Sequence, residues 1–223
     1  MGALSTQQIA FYETFGYLKL PGLFSDRIDA ITEGFEAVFA DDRNVQIPLE
    51  ADLHRNEPRV MIPQFIDKHP ALAGLRTDPR ITDIVDTIFP NGWDYAESDG
   101  NLYWCDSEWH CDIYAAPLEI RHLKVAFYLD ELDADNGAVR VIPGTNHWQT
   151  IYARKLRRTF QEFGKIPDAF GVDGPEIPCT ILDSMPGDLL IWDMRTVHSA
   201  YFSRERRRLF TLNFREAVSE ATA

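Results

Sequence analysis

The tetrapeptide at 109–112, Trp-His-Cys-Asp, places a histidine and a carboxylate two residues apart in a run that predicts an extended strand. Side chains two positions apart on a strand project from the same face, so His110 and Asp112 can bind one metal ion together. Two protein ligands make a weak site, and we expect His198 to supply the third because it follows the apolar run at 189–192. Two histidines and one carboxylate form the facial triad that suits non-haem Fe(II) and leaves coordination positions open.

The same residues also have an ordinary interpretation. A His-x-Asp pair occurs by chance in many proteins, and most histidines are surface residues or hydrogen-bonded core residues. The metal interpretation gains weight from the cluster Arg206-Arg207-Arg208, which follows His198 and opens the strand-like run at 209–214. An arginine can hold a carboxylate through two parallel hydrogen bonds, as a dicarboxylate cosubstrate requires. The sequence therefore predicts a metal site with a carboxylate clamp.

Four motifs occur in an order that resembles the phytanoyl-CoA dioxygenase family of Fe(II)- and 2-oxoglutarate-dependent oxygenases. They are His110-x-Asp112, the segment at 135–147 with its Asn-Gly and Pro-Gly turns, the turn at 186–188, and His198 with the arginine cluster. The opening segment at 4–24 also resembles the start of that family, so the resemblance covers nearly the whole chain. Each motif is modest alone, and their shared order carries the resemblance.

The resemblance implies a fold, a set of cofactors and a reaction. The fold is a double-stranded β-helix flanked by helices, in which His110, Asp112 and His198 hold Fe(II). In the family, 2-oxoglutarate chelates the iron through its carboxylate and keto oxygens, and O2 is the other reactant. A small-molecule substrate is oxidised, with hydroxylation as the default outcome, while 2-oxoglutarate is decarboxylated to succinate and CO2. The breadth of the family also suggests natural-product metabolism as the setting.

The family holds the distant carboxylate of 2-oxoglutarate with an arginine on the strand after the second histidine. Adjacent residues on a strand point to opposite faces, so only one of Arg207 and Arg208 can enter the barrel. If Arg207 points inward, the bulky side chains of Phe210, Leu212 and Phe214 pack outward, whereas the alternative makes them crowd the site. We therefore predict that Arg207 is the clamp.

Asn101 and Tyr103 lie in the strand-like run that precedes the metal motif. Both side chains can hydrogen-bond a carboxylate or keto oxygen, and a buried tyrosine hydroxyl usually finds a partner. Both are candidates for contact with the cosubstrate, although a purely structural role is equally open for each.

Composition limits the classes of partner. The chain has 223 residues, a formal net charge of −13 and a pI near 4.8. This balance argues against general binding of nucleic acids or anionic membranes, because phosphate contacts need clustered positive charge. The longest apolar runs are too short for a membrane-spanning helix, the three cysteines show no disulfide pattern, and the N-terminus has no secretory leader. We therefore expect a cytoplasmic protein that acts on a small-molecule substrate.

Two parts of the chain differ in character. Helical spacing predicts a mostly helical N-terminal part at 1–92, in which the irregular, proline-containing stretch at 41–64 forms a long loop or lid. Short aliphatic and aromatic runs at 93–223 predict antiparallel strands, with a helix and loop insertion at 148–178. The expected fold is mainly β with flanking helices, a cupin-like jelly roll, in one domain at 1–223.

Other classes of function remain open from the residues alone. A zinc hydrolase also uses three protein ligands with an open position, and a cofactor-independent iron dioxygenase can use the same triad. A non-catalytic jelly-roll binding protein would contain His110 and His198 as ordinary polar residues. The arginine after His198 discriminates, since a hydrolase has no need of a dicarboxylate clamp there.

Overall fold

The computed structural model describes residues 4–41, 59–113, 117–163, 166–203 and 206–218, with the backbone alone at 160–163 and 166–167. Within these ranges, ten strands form two antiparallel sheets. The strands are β1 (Tyr17–Leu20), β2 (Arg59–Pro63), β3 (Trp93–Tyr103), β4 (Ser107–His110), β5 (His122–Tyr128), β6 (Val139–Val141), β7 (Thr180–Leu182), β8 (Leu189–Asp193), β9 (His198–Ala200) and β10 (Arg207–Glu216). The larger sheet has the order β1-β8-β5-β10-β3-β2, and the smaller has the order β4-β9-β6-β7.

Among the described residues, four helices lie before β3 in the chain and two lie between β6 and β7. They are α1 (Thr6–Phe15), α2 (Ile28–Ala40), α3 (Pro70–Ala73), α4 (Pro79–Ile88), α5 (Ile151–Phe163) and α6 (Ile166–Phe170). Short 3-10 segments lie at Phe65–Lys68, Gly74–Thr77 and Gly174–Glu176. None of the described helices has the length and hydropathy that crossing a bilayer requires.

The two sheets face each other across a buried cluster. From β3 onward the chain passes repeatedly from one sheet to the other, which is the topology of a double-stranded β-helix. Side chains from both sheets meet between them, including Tyr103, Tyr128, Val139, Val141, Leu182, Leu190 and Leu209. The predicted fold, a mainly β jelly roll with flanking helices, is confirmed.

Alternation along β10 separates the inside of the barrel from its helical cover. Phe210, Leu212 and Phe214 are fully buried in an outer cluster to which α2 and α4 also contribute. The ring of Phe210 stacks on Phe127 of β5 with centroids 4.7 Å apart. A fully buried phenylalanine stabilises the fold by about 1.5–3 kcal/mol, so this face fixes which side of β10 points outward.

A third apolar cluster covers the outer face of the smaller sheet. Leu156 of α5 packs there against Trp109, Ile142, Val197 and Tyr201. Helix α5 of the insertion therefore packs on the sheet that carries β4 and β9.

The end of α1 docks against the turn that leads into β9. The helix begins at a Ser5 to Gln8 capping box and ends at Gly16, which has a left-handed φ of 83°. The Gly16 carbonyl accepts hydrogen bonds from the Asp193 amide at 2.9 Å and the Thr196 hydroxyl at 3.1 Å. A Cβ atom at Gly16 would lie 2.5 Å from Thr196 Oγ1, so only glycine allows this approach. The contact fixes the backbone two residues before His198.

Three expectations about local structure are wrong. Residues 59–63 of the expected loop form β2, because an edge strand tolerates Pro63 at its end, while the rest of that loop, 42–58, lies outside the described residues. The expected loop after Phe163 contains α6, whose Ile-Pro start suits a first helical turn. The strand expected to carry the metal motif ends at His110, as discussed below.

Gly16→Ala tests the docking of α1. The substitution combines left-handed strain with overlap at Thr196, and we expect it to lower the free energy of unfolding by about 2–4 kcal/mol in urea titrations. Gly144→Ala is the matched control, because Gly144 has a φ of 80° but its nearest neighbour, the Thr14 carbonyl oxygen, would lie 3.9 Å from a Cβ atom. Equal losses for the two variants would contradict the close approach at Gly16.

Candidate metal centre

His110, Asp112 and His198 converge inside one end of the barrel. Their ligand atoms all lie within 4.8 Å of one another. His198 Nε2 is 3.7 Å from Asp112 Oδ2, and the two imidazole centroids are 4.2 Å apart. Metal bonds of about 2.1 Å separate neighbouring octahedral donors by about 3 Å, so small side-chain movements bring the three donors onto one ion.

Backbone carbonyls orient both histidines. His110 Nδ1 lies 2.7 Å from the Glu108 carbonyl oxygen, and His198 Nδ1 lies 2.9 Å from that of Thr196. A carbonyl can only accept, so each Nδ1 carries the proton and each Nε2 keeps the lone pair that a metal needs. Glu108 is itself held by the Tyr201 hydroxyl, which donates to Glu108 Oε2 at 2.9 Å. This donor chemistry fits a divalent transition metal.

Asp112 reaches the centre by a route that the sequence did not predict. It lies in a bend after β4, so the same-face argument for a strand does not apply to it. Its backbone amide donates to the Met194 carbonyl at 3.0 Å, while Trp192 Nε1 donates to Oδ2 at 3.2 Å. Contacts with the β8 strand and the turn after it therefore fix this ligand.

Lys124 is part of the centre, and sequence reasoning missed it. Its Nζ lies 2.9 Å from Asp112 Oδ1, and each of the two side chains is 13% exposed. No local signal pointed to it, because a lysine that alternates with the buried residues Leu123 and Val125 is the ordinary pattern of a half-exposed strand. The side chain points from β5 of the larger sheet toward the bend after β4, where Asp112 lies.

The two charges stabilise each other. Burial raises the pKa of Asp112, but the Lys124 ammonium and the nearby imidazoles of His198 and His110 outweigh this effect and hold the pKa well below its usual range. Burial lowers the pKa of Lys124, and the carboxylates of Asp112 and Asp99 more than compensate, so this pKa is raised. Both groups are therefore ionised at neutral pH.

Arg207 and Arg208 have opposite surroundings. Arg207 is 3% exposed, donates to the Gly137 carbonyl, and lies 5.0 Å from the centre of the Tyr103 ring. Its buried Nε has no hydrogen-bond partner among the described residues. Arg208 points outward and pairs with Asp130 at 2.6 Å and Glu36 at 2.8 Å. Of these two arginines, Arg207 is the one that points into the barrel, and none of the described residues places a carboxylate in hydrogen-bonding contact with it.

Tyr103 and Asn101 line the same inner face of β3. The Tyr103 ring lies between two guanidinium groups, each 5.0 Å from its centre, those of Arg59 and Arg207. Burial raises the pKa of Tyr103, so its hydroxyl remains a donor. Asn101 Oδ1 accepts from Arg59 Nε at 2.9 Å and Nη2 at 2.7 Å, and its amide nitrogen donates to Asp99. Asn101 therefore positions Arg59 and keeps one further N–H to offer.

Comparison with known families gives one match over most of the chain. The sequence profile of the family described as phytanoyl-CoA dioxygenase (PhyH) matches residues 12–208. No curated protein gives a significant match to this chain.

Several solved structures are similar to this fold. SnoK, a non-haem alpha ketoglutarate dependent carbocyclase from nogalamycin biosynthesis, superposes with a TM-score of 0.74 at 22% identity, covering 96% of this chain and 85% of that one. EctD from S. alaskensis superposes with a TM-score of 0.71 at 20% identity, covering 96% and 78%. HygX from Streptomyces hygroscopicus, determined with nickel and 2-oxoglutarate bound, gives 0.70 at 15% identity, covering 96% and 88%. At these identities the likeness shows a shared fold.

Removing any one ligand tests the centre. His110→Ala, Asp112→Ala and His198→Ala should each weaken Fe(II) binding by more than about 100-fold in anaerobic titrations, because loss of an outer contact alone costs roughly 10- to 100-fold. His147→Ala is the control, since this exposed histidine lies 3.1 Å from the Thr14 carbonyl and outside the triad. Unchanged Fe(II) affinity in one of the triad variants would remove that residue from the ligand set.

Proposed function

This chain belongs to the phytanoyl-CoA dioxygenase family, and on that premise we propose that it is an Fe(II)- and 2-oxoglutarate-dependent oxygenase that hydroxylates a small molecule. His110, Asp112 and His198 hold the iron, and Arg207 binds the distant carboxylate of 2-oxoglutarate. Bound iron and 2-oxoglutarate together supply the oxidising chemistry, with O2 consumed and succinate and CO2 released.

The surroundings of Arg207 carry the proposal. A guanidinium that is 3% exposed and has an unpartnered Nε is costly unless a ligand completes its hydrogen bonds. A carboxylate is the ligand that matches its planar fork. The aromatic ring of Tyr103 packs against the guanidinium, and the Tyr103 hydroxyl is a further donor for the same carboxylate. A metal triad and a buried carboxylate clamp in one barrel suit a cosubstrate that must be chelated and anchored at once.

The chain also orients the side chains that bind the iron and the cosubstrate. The backbone carbonyls of Glu108 and Thr196 keep the two imidazoles oriented before iron binds, so only small side-chain movements are needed when the site is loaded. The apolar cluster between the sheets limits water in the barrel, which strengthens the charge contacts of Arg207.

The family and the similar structures support a proposal about the substrate class. EctD from S. alaskensis has been determined with 2-oxoglutarate and 5-hydroxyectoine, a small hydroxylated molecule, and SnoK acts in nogalamycin biosynthesis. By analogy we propose a small-molecule substrate and a role in natural-product metabolism for this chain. Succinate release, followed by a search for a product that has gained one oxygen atom, tests both points.

The decisive experiment is an anaerobic titration of metal-free protein with Fe(II) and then 2-oxoglutarate. The proposal predicts a visible metal-to-ligand charge-transfer band that saturates near one equivalent of 2-oxoglutarate. Iron binding without this band would favour another metal enzyme, such as a hydrolase or a cofactor-independent dioxygenase. Absence of iron binding would favour a non-catalytic binding protein.

Arg207→Ala separates the clamp from the metal site. Loss of a charged two-point contact should weaken 2-oxoglutarate binding by about 10- to 150-fold, while Fe(II) affinity stays close to wild type. Arg208→Ala is the matched control, because it removes the neighbouring guanidinium and its partly exposed ion pairs with Asp130 and Glu36. If Arg208→Ala weakened 2-oxoglutarate binding and Arg207→Ala did not, the proposed clamp would be wrong.

A further inference from the structure

The contact with Lys124 makes the two oxygens of the Asp112 carboxylate inequivalent. Its ammonium contacts Oδ1 at 2.9 Å, whereas Oδ2 is the oxygen that lies 3.7 Å from His198 Nε2. Trp192 Nε1 also donates to Oδ2, at 3.2 Å, and its ring lies 5.8 Å from the Lys124 ammonium. The carboxylate is thus held in one orientation, with Oδ2 toward the histidines and Oδ1 toward the lysine.

This division determines how many metal positions the protein occupies. A six-coordinate ion bound by two histidines and one carboxylate oxygen keeps three positions open. If both carboxylate oxygens bound the ion, two positions would remain, and a chelating 2-oxoglutarate would fill them without leaving one for O2. We propose that Lys124 keeps Asp112 a one-oxygen ligand and so preserves the open position for O2. This proposal rests on the function proposed above.

The position of Lys124 is unfavourable for metal binding itself. A fixed positive charge beside a ligand carboxylate repels a divalent cation, and the low exposure of both groups limits screening by water. Lys124 extends from β5 of the larger sheet to a ligand beyond the end of β4 in the smaller one. The contact with Asp112 therefore does not increase metal affinity. It suits a lysine that keeps Oδ1 of Asp112 away from the metal.

Lys124→Met keeps the length of the side chain and removes its charge. We expect the variant to bind Fe(II) more tightly, by about 10-fold, because repulsion is lost and Oδ1 becomes available to the metal. We expect its affinity for 2-oxoglutarate to stay close to wild type, because two positions still remain for the chelate. We expect the reaction of the loaded complex with O2 to slow by about 10- to 100-fold, because the position for O2 is lost. Fe(II) affinity is measured anaerobically by metal titration, 2-oxoglutarate affinity from the charge-transfer band, and the reaction with O2 from the decay of that band after mixing with O2.

The opposite signs of the two effects distinguish this role from a structural one. A lysine needed only for folding would, when replaced, lower Fe(II) affinity and the thermal unfolding midpoint together, and that result would overturn the proposal. An unchanged reaction with O2 would overturn it as well. Lys124→Arg retains a cationic donor, so it should restore the reaction with O2 toward wild type.

Lys19→Met is the matched control. Lys19 on the edge strand β1 pairs with Asp188 at 3.1 Å and donates to the Asp183 carbonyl at 2.6 Å, so the variant removes another lysine ion pair. It should change neither Fe(II) affinity nor the reaction with O2. The outcome for wild type separates the two proposals: no charge-transfer band in wild type rejects the proposed function, whereas a normal band there with an unaltered Lys124→Met rejects only the role of Lys124.

Discussion

The two-sidedness of β10 is the constraint on which the rest of the structure depends. Its outward phenylalanines and leucine lie in the large cluster shared with the helices, and its inward face carries Arg207. A slip of one residue would bring Phe210 and its partners into the barrel and send Arg207 into the helical layer. Apolar burial on one side of a strand therefore positions a charged group on the other.

Charge inside the barrel is tolerated because it is distributed among specific partners. An isolated buried ion costs several kcal/mol, and the Lys124 ammonium and the Asp112 carboxylate offset this cost for each other. Arg207 instead interacts with a ring face and one carbonyl, which leaves part of its hydrogen-bonding capacity for a ligand. The Lys124 ammonium thus orients the Asp112 carboxylate, while the Arg207 guanidinium is available to an incoming carboxylate.

The ligand geometry is supported from outside the barrel. The Thr196 carbonyl that orients His198 belongs to a turn fixed by the end of α1 at Gly16, and the Glu108 carbonyl that orients His110 belongs to a residue held by Tyr201. Leu156 of α5 packs into the same cluster as Tyr201 and Val197. Helices far apart in the chain therefore help to hold the two imidazoles.

The sequence by itself predicted the jelly roll, the three residues that converge as a candidate triad and the inward orientation of Arg207. Strand alternation and turn residues act over short stretches, so they can be read from the sequence. It did not determine the path of the chain around them: β2 was expected to be loop, and Asp112 was expected on a strand that ends at His110. Lys124 was missed because its partner Asp112 lies in the bend after β4, and only the fold brings that bend beside β5. Only the tertiary structure decided which carboxylate oxygen faces the histidines, since that depends on contacts from Lys124 and Trp192, which are distant in sequence from Asp112.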